Sequence, residues 1–414
     1  MKIILSCLAL MSALYAQPAY DLLLKGGHVI DPKNKVSRPM DVAVAGGKIV
    51  RVAANIPEVE AKKTVDVTGL YVTPGLVDIH THLCAQCERP LIPGGTYSVP
   101  SDAFSFRSGI TTMVDAGTVG WRDFPSFRKL VIDAAQTRVL AFLNIDGRGM
   151  GTGQEDDPED MNPQATAAMA KSNADVIVGF KTAHYAGPGW ISVDNAVKAG
   201  ELAGLPVMVD FGKIGTERNI RTLFLEKLRP GDIYTHCYSG HRDELLGNGK
   251  VNPAMWEGRK RGIIFDLGHG GGSFYWYVAI PAYEQGFYPD SISTDLHTGS
   301  MNSGMKDITN VMSKCLNLGS SLDAVVRMST WSPANEIHRP QLGNLDTGAE
   351  ADIAVLRLDR GRFGFPDSAG AANAGTQKLT CEMTIRKGKI VWDLNGRAGE
   401  NWKTFKYDKD EYRR

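Results

Sequence analysis

The sequence predicts an α/β protein, a (β/α)8 TIM barrel with a small β-sandwich domain built from both chain ends. Three observations support this prediction. β-branched runs alternate with helical stretches through the middle of the chain, eight such strands can be counted there, and short β-rich runs with Gly, Pro and Asn turns occupy both flanks. Eight is the number of parallel strands that closes a barrel with its helices outside.

The N-terminus has the pattern of a Sec signal peptide. Lys2 supplies a positive charge, residues 3–10 form an apolar run, and small residues at 12–16 precede Gln17. The run is shorter than the ~20 residues that a membrane-spanning helix needs. An apolar, frayed N-terminus is the alternative. We therefore expect a periplasmic or secreted protein that has no membrane contact once the signal is removed.

The change from hairpin strands to alternating strands and helices predicts the domain order. The signal peptide takes residues 1–16, the first part of the small β-domain 17–72, the barrel 73–338, and the rest of the small β-domain with a tail 339–414. The eight barrel strands are expected near residues 76–80, 111–115, 139–144, 175–180, 207–211, 232–236, 263–267 and 291–294.

The composition excludes several partners. Of the 414 residues, 43% are hydrophobic and 22% charged, and 46 basic residues balance 46 acidic ones. A formal charge of zero favours neither a nucleic acid nor an anionic membrane surface as partner.

The aromatic run at residues 274–277 is typical of packing, with the subunit contact of a homo-oligomer as the alternative. Cys84 and Cys87 have redox or zinc spacing but no second such pair, which favours a disulfide or inert thiols.

Histidines close the first predicted strand. His80 and His82 are two residues apart, so in a strand with a side-chain period of two they project to the same side. In barrels of this kind the active site occupies the face where the strands end. Two imidazoles there have metal-ligand spacing, although a structural pair is the alternative.

Further polar residues close later strands. Lys181 ends a buried run, where desolvation depresses the lysine pKa, and a neutral amine can capture carbon dioxide to form a carbamate that bridges two cations. A lysine that extends out of the barrel rim is the alternative. His236 and Asp295 end the sixth and eighth strands, and His269 lies in a glycine-rich turn suited to an anionic substrate group.

These motifs together resemble the amidohydrolase superfamily of metal-dependent hydrolases, which includes dihydroorotase, hydantoinase, D-aminoacylase and urease. The resemblance covers nearly the whole mature chain, and the residues near 265–274 and 287–297 are most similar to a bacterial amidohydrolase/deacetylase group. It implies two divalent ions, zinc with manganese or iron as alternatives. His80 and His82 would bind one ion and His236 the other, with Lys181 as carbamate and a hydroxide bridging both. Asp295 would bind the first ion and act as the catalytic acid and base.

One position departs from the family pattern. The fifth strand ends in Asp210, where the pattern has histidine. Asp210 is expected to ligate through oxygen; a single-ion site and an inactive protein are the alternatives. His184, three residues after Lys181, is a candidate for the missing imidazole or for substrate binding, with silent packing as the alternative.

The sequence thus predicts an exported, metal-dependent hydrolase of the deacylase type, cleaving an amide or ester bond of a small carboxylate-bearing molecule through a metal-bridging hydroxide. His269 and His184 are the expected substrate-binding residues. A cyclic amidase or a dipeptidase is the nearest alternative. A catalytically inactive barrel that serves as a periplasmic binding protein is the alternative outside enzymes.

Overall fold

The computed structural model describes residues 18–84, 98–152, 155, 157–210 and 218–407. The predicted signal peptide and Cys87 lie outside these residues. The chain begins with short strands joined by tight turns, and each strand buries apolar side chains. They are β1 (Leu22–Asp31), β2 (Val36–Ala45), β3 (Lys48–Ala53), β4 (Thr64–Asp66) and β5 (Tyr71–Pro74).

The middle of the chain forms a parallel sheet whose strands follow one another in sequence order. Most of their residues are buried on both faces, as expected for strands covered by helices on one side and packed inside a barrel on the other. The strands are β6 (Leu76–Thr81), β7 (Ile110–Gly120), β8 (Arg138–Asn144), β9 (Ile177–Thr182), β10 (Val207–Val209), β11 (Ile233–Tyr234) and β12 (Ile264–Phe265).

An irregular segment closes this sheet into a barrel. Residues 291–296 form a parallel bridge from Ser291 to Asp266, just after β12, and another from Leu296 to Thr81 at the end of β6. Backbone hydrogen bonds extend the pairing on both sides of this segment. Leu267 N donates to Ser291 O, and His82 N donates to Leu296 O. The eighth predicted strand therefore occupies its expected place, although it pairs through isolated bridges instead of a regular ladder.

Strands from the end of the chain complete the first sheet. β13 (Ile353–Pro366), β14 (Ala372–Arg386) and β15 (Lys389–Asp393) join it through antiparallel pairing of β13 with β5. The outcome is one hydrogen-bonded sheet of eight strands, in which both chain ends take part. The two stacked sheets of the predicted β-sandwich are not shown, so the sandwich form stays a prediction.

Helices alternate with the barrel strands as predicted. Several begin at an asparagine, aspartate or serine whose side chain accepts a backbone N–H, and Gly204 and Gly262 end two of them in the left-handed conformation. The α-helices are α1 (Ser101–Phe104), α2 (Phe124–Phe127), α3 (Pro163–Ser172), α4 (Ile191–Ala203), α5 (Ile220–Thr222), α6 (Pro253–Arg261), α7 (Trp276–Glu284), α8 (Thr298–Asn302), α9 (Ile308–Asn317), α10 (Leu322–Met328) and α11 (Trp331–Glu336). Single 3-10 or π turns occupy Glu58–Glu60, Phe106–Ser108, Arg128–Ile132, Gly149–Thr152 and Leu223–Lys227.

No helix in the described part of the chain combines the length and the apolar character needed to cross a bilayer.

Candidate metal centre

A cavity of about 420 Å³ opens where the barrel strands end. All six predicted metal ligands line it, and so does His184. The convergence follows from the fold, because the carboxyl ends of parallel strands meet at one face of a barrel. The remaining lining residues are Met150, Ala183, His241, Arg242, Gly271, Gly272, Ser273 and His297.

A threonine fixes the orientation of His80. The Thr235 hydroxyl donates to Asp266 Oδ2 at 2.7 Å and lies 2.9 Å from His80 Nδ1. Since that hydroxyl hydrogen is committed to Asp266, the threonine oxygen accepts the Nδ1–H of His80. The unprotonated Nε2 of His80 therefore faces the cavity. Burial lowers the pKa of His80 well below its usual value, so the ring stays neutral, as a metal ligand must.

His82 repeats this arrangement. The Thr118 hydroxyl donates to Asp115 Oδ2 at 2.5 Å, and its oxygen lies 3.4 Å from His82 Nδ1. In His236 the Nδ1–H donates directly to the carbonyl oxygen of Gly268. All three imidazoles thus have Nδ1 held by an acceptor and Nε2 directed inward, the pattern of metal-bound histidines.

Asp295 is the carboxylate on which these rings converge. Its Oδ1 lies 2.8 Å from His82 Nε2 and 3.5 Å from His80 Nε2. Ligand atoms of His80, His236 and Asp295 all lie within 4.8 Å of one another. Burial opposes ionisation of Asp295, but the neighbouring histidines outweigh it and hold the pKa of its carboxyl well below the usual range. Because each Nδ1–H is committed to an acceptor, the Nε2 atoms can offer lone pairs to a divalent cation, whose charge would also favour the ionised Asp295.

Lys181 extends into the same cluster. Its side chain is buried, and Nζ lies 3.0 Å from His80 Nε2. The stem needs the space left by Gly117, where φ is 82° and an added Cβ would lie 2.6 Å from Lys181 Cγ. Burial lowers the pKa of Lys181, although nearby carboxylates, Asp210 first among them, act in the opposite direction.

Asp210 forms the second half of the cluster with His236. Its Oδ2 lies 3.1 Å from His236 Nε2, and its Oδ1 accepts a hydrogen bond from Arg242 Nη2 at 2.5 Å. His184 stands at the rim, with Nε2 3.5 Å from Asp210 Oδ2 and Nδ1 3.4 Å from Glu155. Burial disfavours the charged form of His184, but the bond to Glu155 and the charge of Asp210 outweigh this and raise its pKa to about 9.

His269 does not lie among the residues that line the cavity. Its ring is fully buried, stacks on Phe274 and faces Lys314 with Nε2. The cavity wall is made instead by the following residues of the turn, Gly271, Gly272 and Ser273. The direct substrate contact predicted for His269 therefore has no support in this geometry.

Backbone conformation marks three of these positions. His184, His236 and Asp295 have φ values of 54°, 64° and 52°. Non-glycine residues rarely adopt the left-handed region, and such residues concentrate at functional sites. At Asp295 the fit also depends on Gly270, because a Cβ there would lie 2.6 Å from Asp295 Oδ2.

Sequence reasoning missed several residues of the site. Arg242 carries no signal in the sequence, because it sits in an irregular loop after β11. His241 lies away from the predicted strand ends, yet it lines the cavity and its Nε2 lies 2.8 Å from the Gly272 carbonyl oxygen. The supporting threonines, Thr235 and Thr118, lie beside predicted strand ends, which is the one signal that could have found them.

A parallel barrel with inward-facing imidazoles, two carboxylates and a buried lysine at its carboxyl face defines a metal-dependent hydrolase. Comparison with known proteins agrees. The family model for the amidohydrolase family matches residues 277–391. A deacetylase of Agrobacterium fabrum is 32% identical over 346 residues, 80% of this chain and 81% of that protein. A deacetylase of Enterococcus faecalis is 28% identical over 386 residues, 90% of this chain and 99% of that protein.

A solved structure is also similar throughout. The crystal structure of an adenine deaminase superposes with a TM-score of 0.82 at 28% identity, covering 90% of this chain and all of that one. The chain belongs to the amidohydrolase superfamily. It is a hydrolytic enzyme that acts on carbon–nitrogen bonds other than peptide bonds, with a divalent metal centre and a small-molecule substrate.

Proposed function

We propose that this enzyme is an exported, metal-dependent deacylase that removes an acyl group, foremost acetyl, from the nitrogen or oxygen of a small carboxylic acid. The observation that carries the proposal is the set of inward-facing Nε2 atoms gathered on Asp295. Two deacetylases are similar to this chain over 90% and 80% of its length. Their activity supports an acyl group as the group that this enzyme removes.

The donors suit zinc, with manganese or iron as alternatives, since imidazole and carboxylate ligands serve all three. His80, His82 and Asp295 would hold one ion, and Lys181, carried as its carbamate, would link it to a second ion near His236 and Asp210. A divalent ion in such a site lowers the pKa of a water molecule and polarises a carbonyl oxygen. The remaining steps fall to side chains of the chain itself.

Asp295 is suited to move the proton. Its Oδ1 is directed at His82, whereas its Oδ2 lies 3.9 Å from His297 Nε2, on the cavity side. Because the carboxyl is ionised, Oδ2 can accept a proton from the attacking water and return it to the leaving nitrogen or oxygen. His297 accepts the backbone N–H groups of Gly299 and Ser300 at Nδ1, so its Nε2 carries the hydrogen and favours the ionised form of that oxygen.

The cavity wall beside Asp295 is suited to hold the substrate carboxylate. Gly271, Gly272 and Ser273 present backbone and a hydroxyl to the cavity just ahead of α7. His241 contacts this wall at the Gly272 carbonyl oxygen, and His184 lines the same cavity, so two imidazoles border the space where an anion would lie. We therefore expect the substrate to carry its carboxylate a few bonds from the acyl group.

A substrate screen tests the proposal. The purified full chain, loaded with zinc and bicarbonate, is assayed against N-acetyl amino acids of both hands, O-acetyl hydroxy acids, cyclic imides and dipeptides. We expect acetate release from acyl carboxylates, with no release by the Asp295→Asn variant. Ring opening of cyclic imides alone, dipeptide cleavage alone, or carboxylate binding without turnover would each contradict the proposal.

Export has its own test. The chain is expressed in a bacterium, and the periplasmic protein is sequenced from its N-terminus. We expect the mature chain to begin at Gln17. Full-length protein retained in the cytoplasm would remove export and leave the chemistry unaffected.

A further inference from the structure

The geometry points to Arg242 as a positioning residue that neutralises Asp210, so that this aspartate serves a second cation as a single oxygen donor without net charge. The inference rests on the proposed metal-dependent function and concerns the half of the cluster formed by Asp210 and His236. Nothing in the family resemblance assigns a role to Arg242.

The two oxygens of Asp210 have different surroundings. Oδ1 accepts from Arg242 Nη2 at 2.5 Å, and Oδ2 faces His236 Nε2 at 3.1 Å. Since His236 donates its Nδ1–H to the Gly268 carbonyl oxygen, the lone pair of its Nε2 points at the carboxylate. Two acceptors at this separation accommodate a cation whose bonds to nitrogen and oxygen are ~2.1 Å long.

Arg242 is held independently of Asp210. Its backbone N–H donates to Glu244 Oε2 at 3.0 Å, and Glu244 Oε1 accepts from Ser239 at 2.6 Å and from the Tyr234 hydroxyl at 3.0 Å. The guanidinium lies over the Tyr234 ring, 5.3 Å from its centre. The arginine is therefore a fixed part of the wall, and the aspartate is positioned against it.

The charges give this pair its function. The Arg242 side chain is 1% exposed and that of Asp210 is 6% exposed, so both charges are buried and balance each other. The pair as a whole is neutral and offers one inward-facing donor, which is also what a neutral imidazole offers. Without Arg242, Asp210 would lose the positive charge that balances it, and its Oδ1 would lose this hydrogen bond.

Two other roles make different predictions. If Arg242 occupied the place of the second cation, its charge would exclude that ion and the protein would bind one. If Arg242 only stabilised the fold, its removal would loosen every ligand of the cluster. Charge compensation alone predicts that removal of Arg242 tightens the second ion, because the negative charge of Asp210 then keeps its contact with His184 at 3.5 Å but loses the guanidinium that balances it.

The test measures bound zinc by mass spectrometry and the affinity of each equivalent by competition with a chelator. We expect two equivalents in the wild type and a second equivalent about tenfold tighter in Arg242→Met. In Asp210→His the guanidinium, without its Asp210 partner, should weaken the second equivalent by about tenfold or more, and Asp210→His/Arg242→Met should recover it to within about threefold. Arg386→Met, which removes a buried partner of Asp352 outside the cavity, is the control and should bind as the wild type does.

Three results would overturn the inference. The first is that the wild type binds only one equivalent of zinc in the assay. The second is that Arg242→Met binds the second zinc more weakly than the wild type or equally well. The third is that the double variant fails to bind a second zinc. If Asp210→His does not fold, the double variant and Arg242→Met still decide. Two equivalents that respond as expected without any hydrolysis would remove the proposed function and keep this inference, whereas hydrolysis with one bound ion would do the reverse.

Discussion

Lys314 donates a hydrogen bond from Nζ to Nε2 of His269 at 2.5 Å, directly behind the glycine-rich wall of the cavity. The same ammonium donates to the carbonyl oxygens of Gly304 at 2.8 Å and Pro366 at 2.7 Å. His269 in turn lies 2.9 Å from the Gly270 carbonyl oxygen through Nδ1. One buried lysine on α9 thus joins the cavity wall to the β13–β14 turn, and His269 supports that wall from behind.

Stability should depend on pH through Lys314. Burial lowers its pKa to about 7, whereas in the unfolded chain a lysine titrates near 10.4. Between these values the unfolded state binds more protons than the folded state, so the free energy of unfolding rises with pH, at up to ~1.4 kcal/mol per pH unit. Below pH 7 both states are protonated and the cost of the buried charge is fully present.

Urea unfolding at pH 6 to 9.5 measures this effect. The wild type should gain stability from pH 7 upward relative to Lys314→Met, in which the titrating group is absent. Lys198→Met, at an exposed position on α4, is the matched control. A difference between wild type and Lys314→Met that stays flat across this range would show that the two carbonyls and His269 keep the ammonium charged.

Lys181→Ala should reduce turnover by ~100-fold or more, because it removes the group proposed to link the two ions. The zinc content should fall below that of the wild type. Metal-free wild-type protein that is reloaded with zinc should recover more activity with bicarbonate than in carbon dioxide-free buffer, whereas the variant should not respond to bicarbonate. Full turnover by Lys181→Ala would remove the carbamate from the proposal.

Strand ends were the part of the site that the sequence could predict. His80, His82 and Lys181 follow buried runs, and the side-chain period of two together with the parallel topology brings such residues to one face of the barrel. The same reasoning located His236 and Asp295. Barrel closure could be predicted by counting strands, although the eighth strand pairs only through isolated bridges.

Residues in turns could not be placed in this way. Gly268 has φ of 47°, so the chain reverses after β12 and turns the His269 ring away from the cavity. Arg242 reaches Asp210 from an irregular loop that has no periodic pattern. Such contacts depend on tertiary geometry, and the spacing of residue types along the chain carries no information on them.

Thr235→Val should weaken zinc binding by ~10- to 100-fold, the range for loss of an outer partner of a metal-binding histidine. The variant keeps the shape of the side chain but removes the oxygen that accepts from His80 Nδ1 and the hydroxyl that donates to Asp266. His80 is then free to adopt the other tautomer or to rotate. Thr309→Val, on α9 and outside the cavity, should bind zinc as the wild type does.

Zinc affinity by chelator competition, measured beside the melting temperature of the metal-free forms, separates ligand orientation from folding. Equal affinity in Thr235→Val and the wild type would show that the Asp266–Thr235 pair does not orient His80.

Removal of the divalent ions should abolish turnover and also destabilise the fold. In metal-free protein His82 Nε2 and Asp295 Oδ1 lie 2.8 Å apart without the cation that both can bind. An ion that binds only the folded state stabilises it by ~2.7 kcal/mol at a free concentration 100 times its dissociation constant. Protein treated with a chelator should therefore melt at a lower temperature, and zinc should restore both turnover and stability.

Asp295→Asn should lose most of this stabilisation, because a neutral amide leaves the histidines without an anionic co-ligand. Equal melting temperatures with and without zinc, alongside undiminished turnover in chelator, would mean that these residues do not form a metal centre.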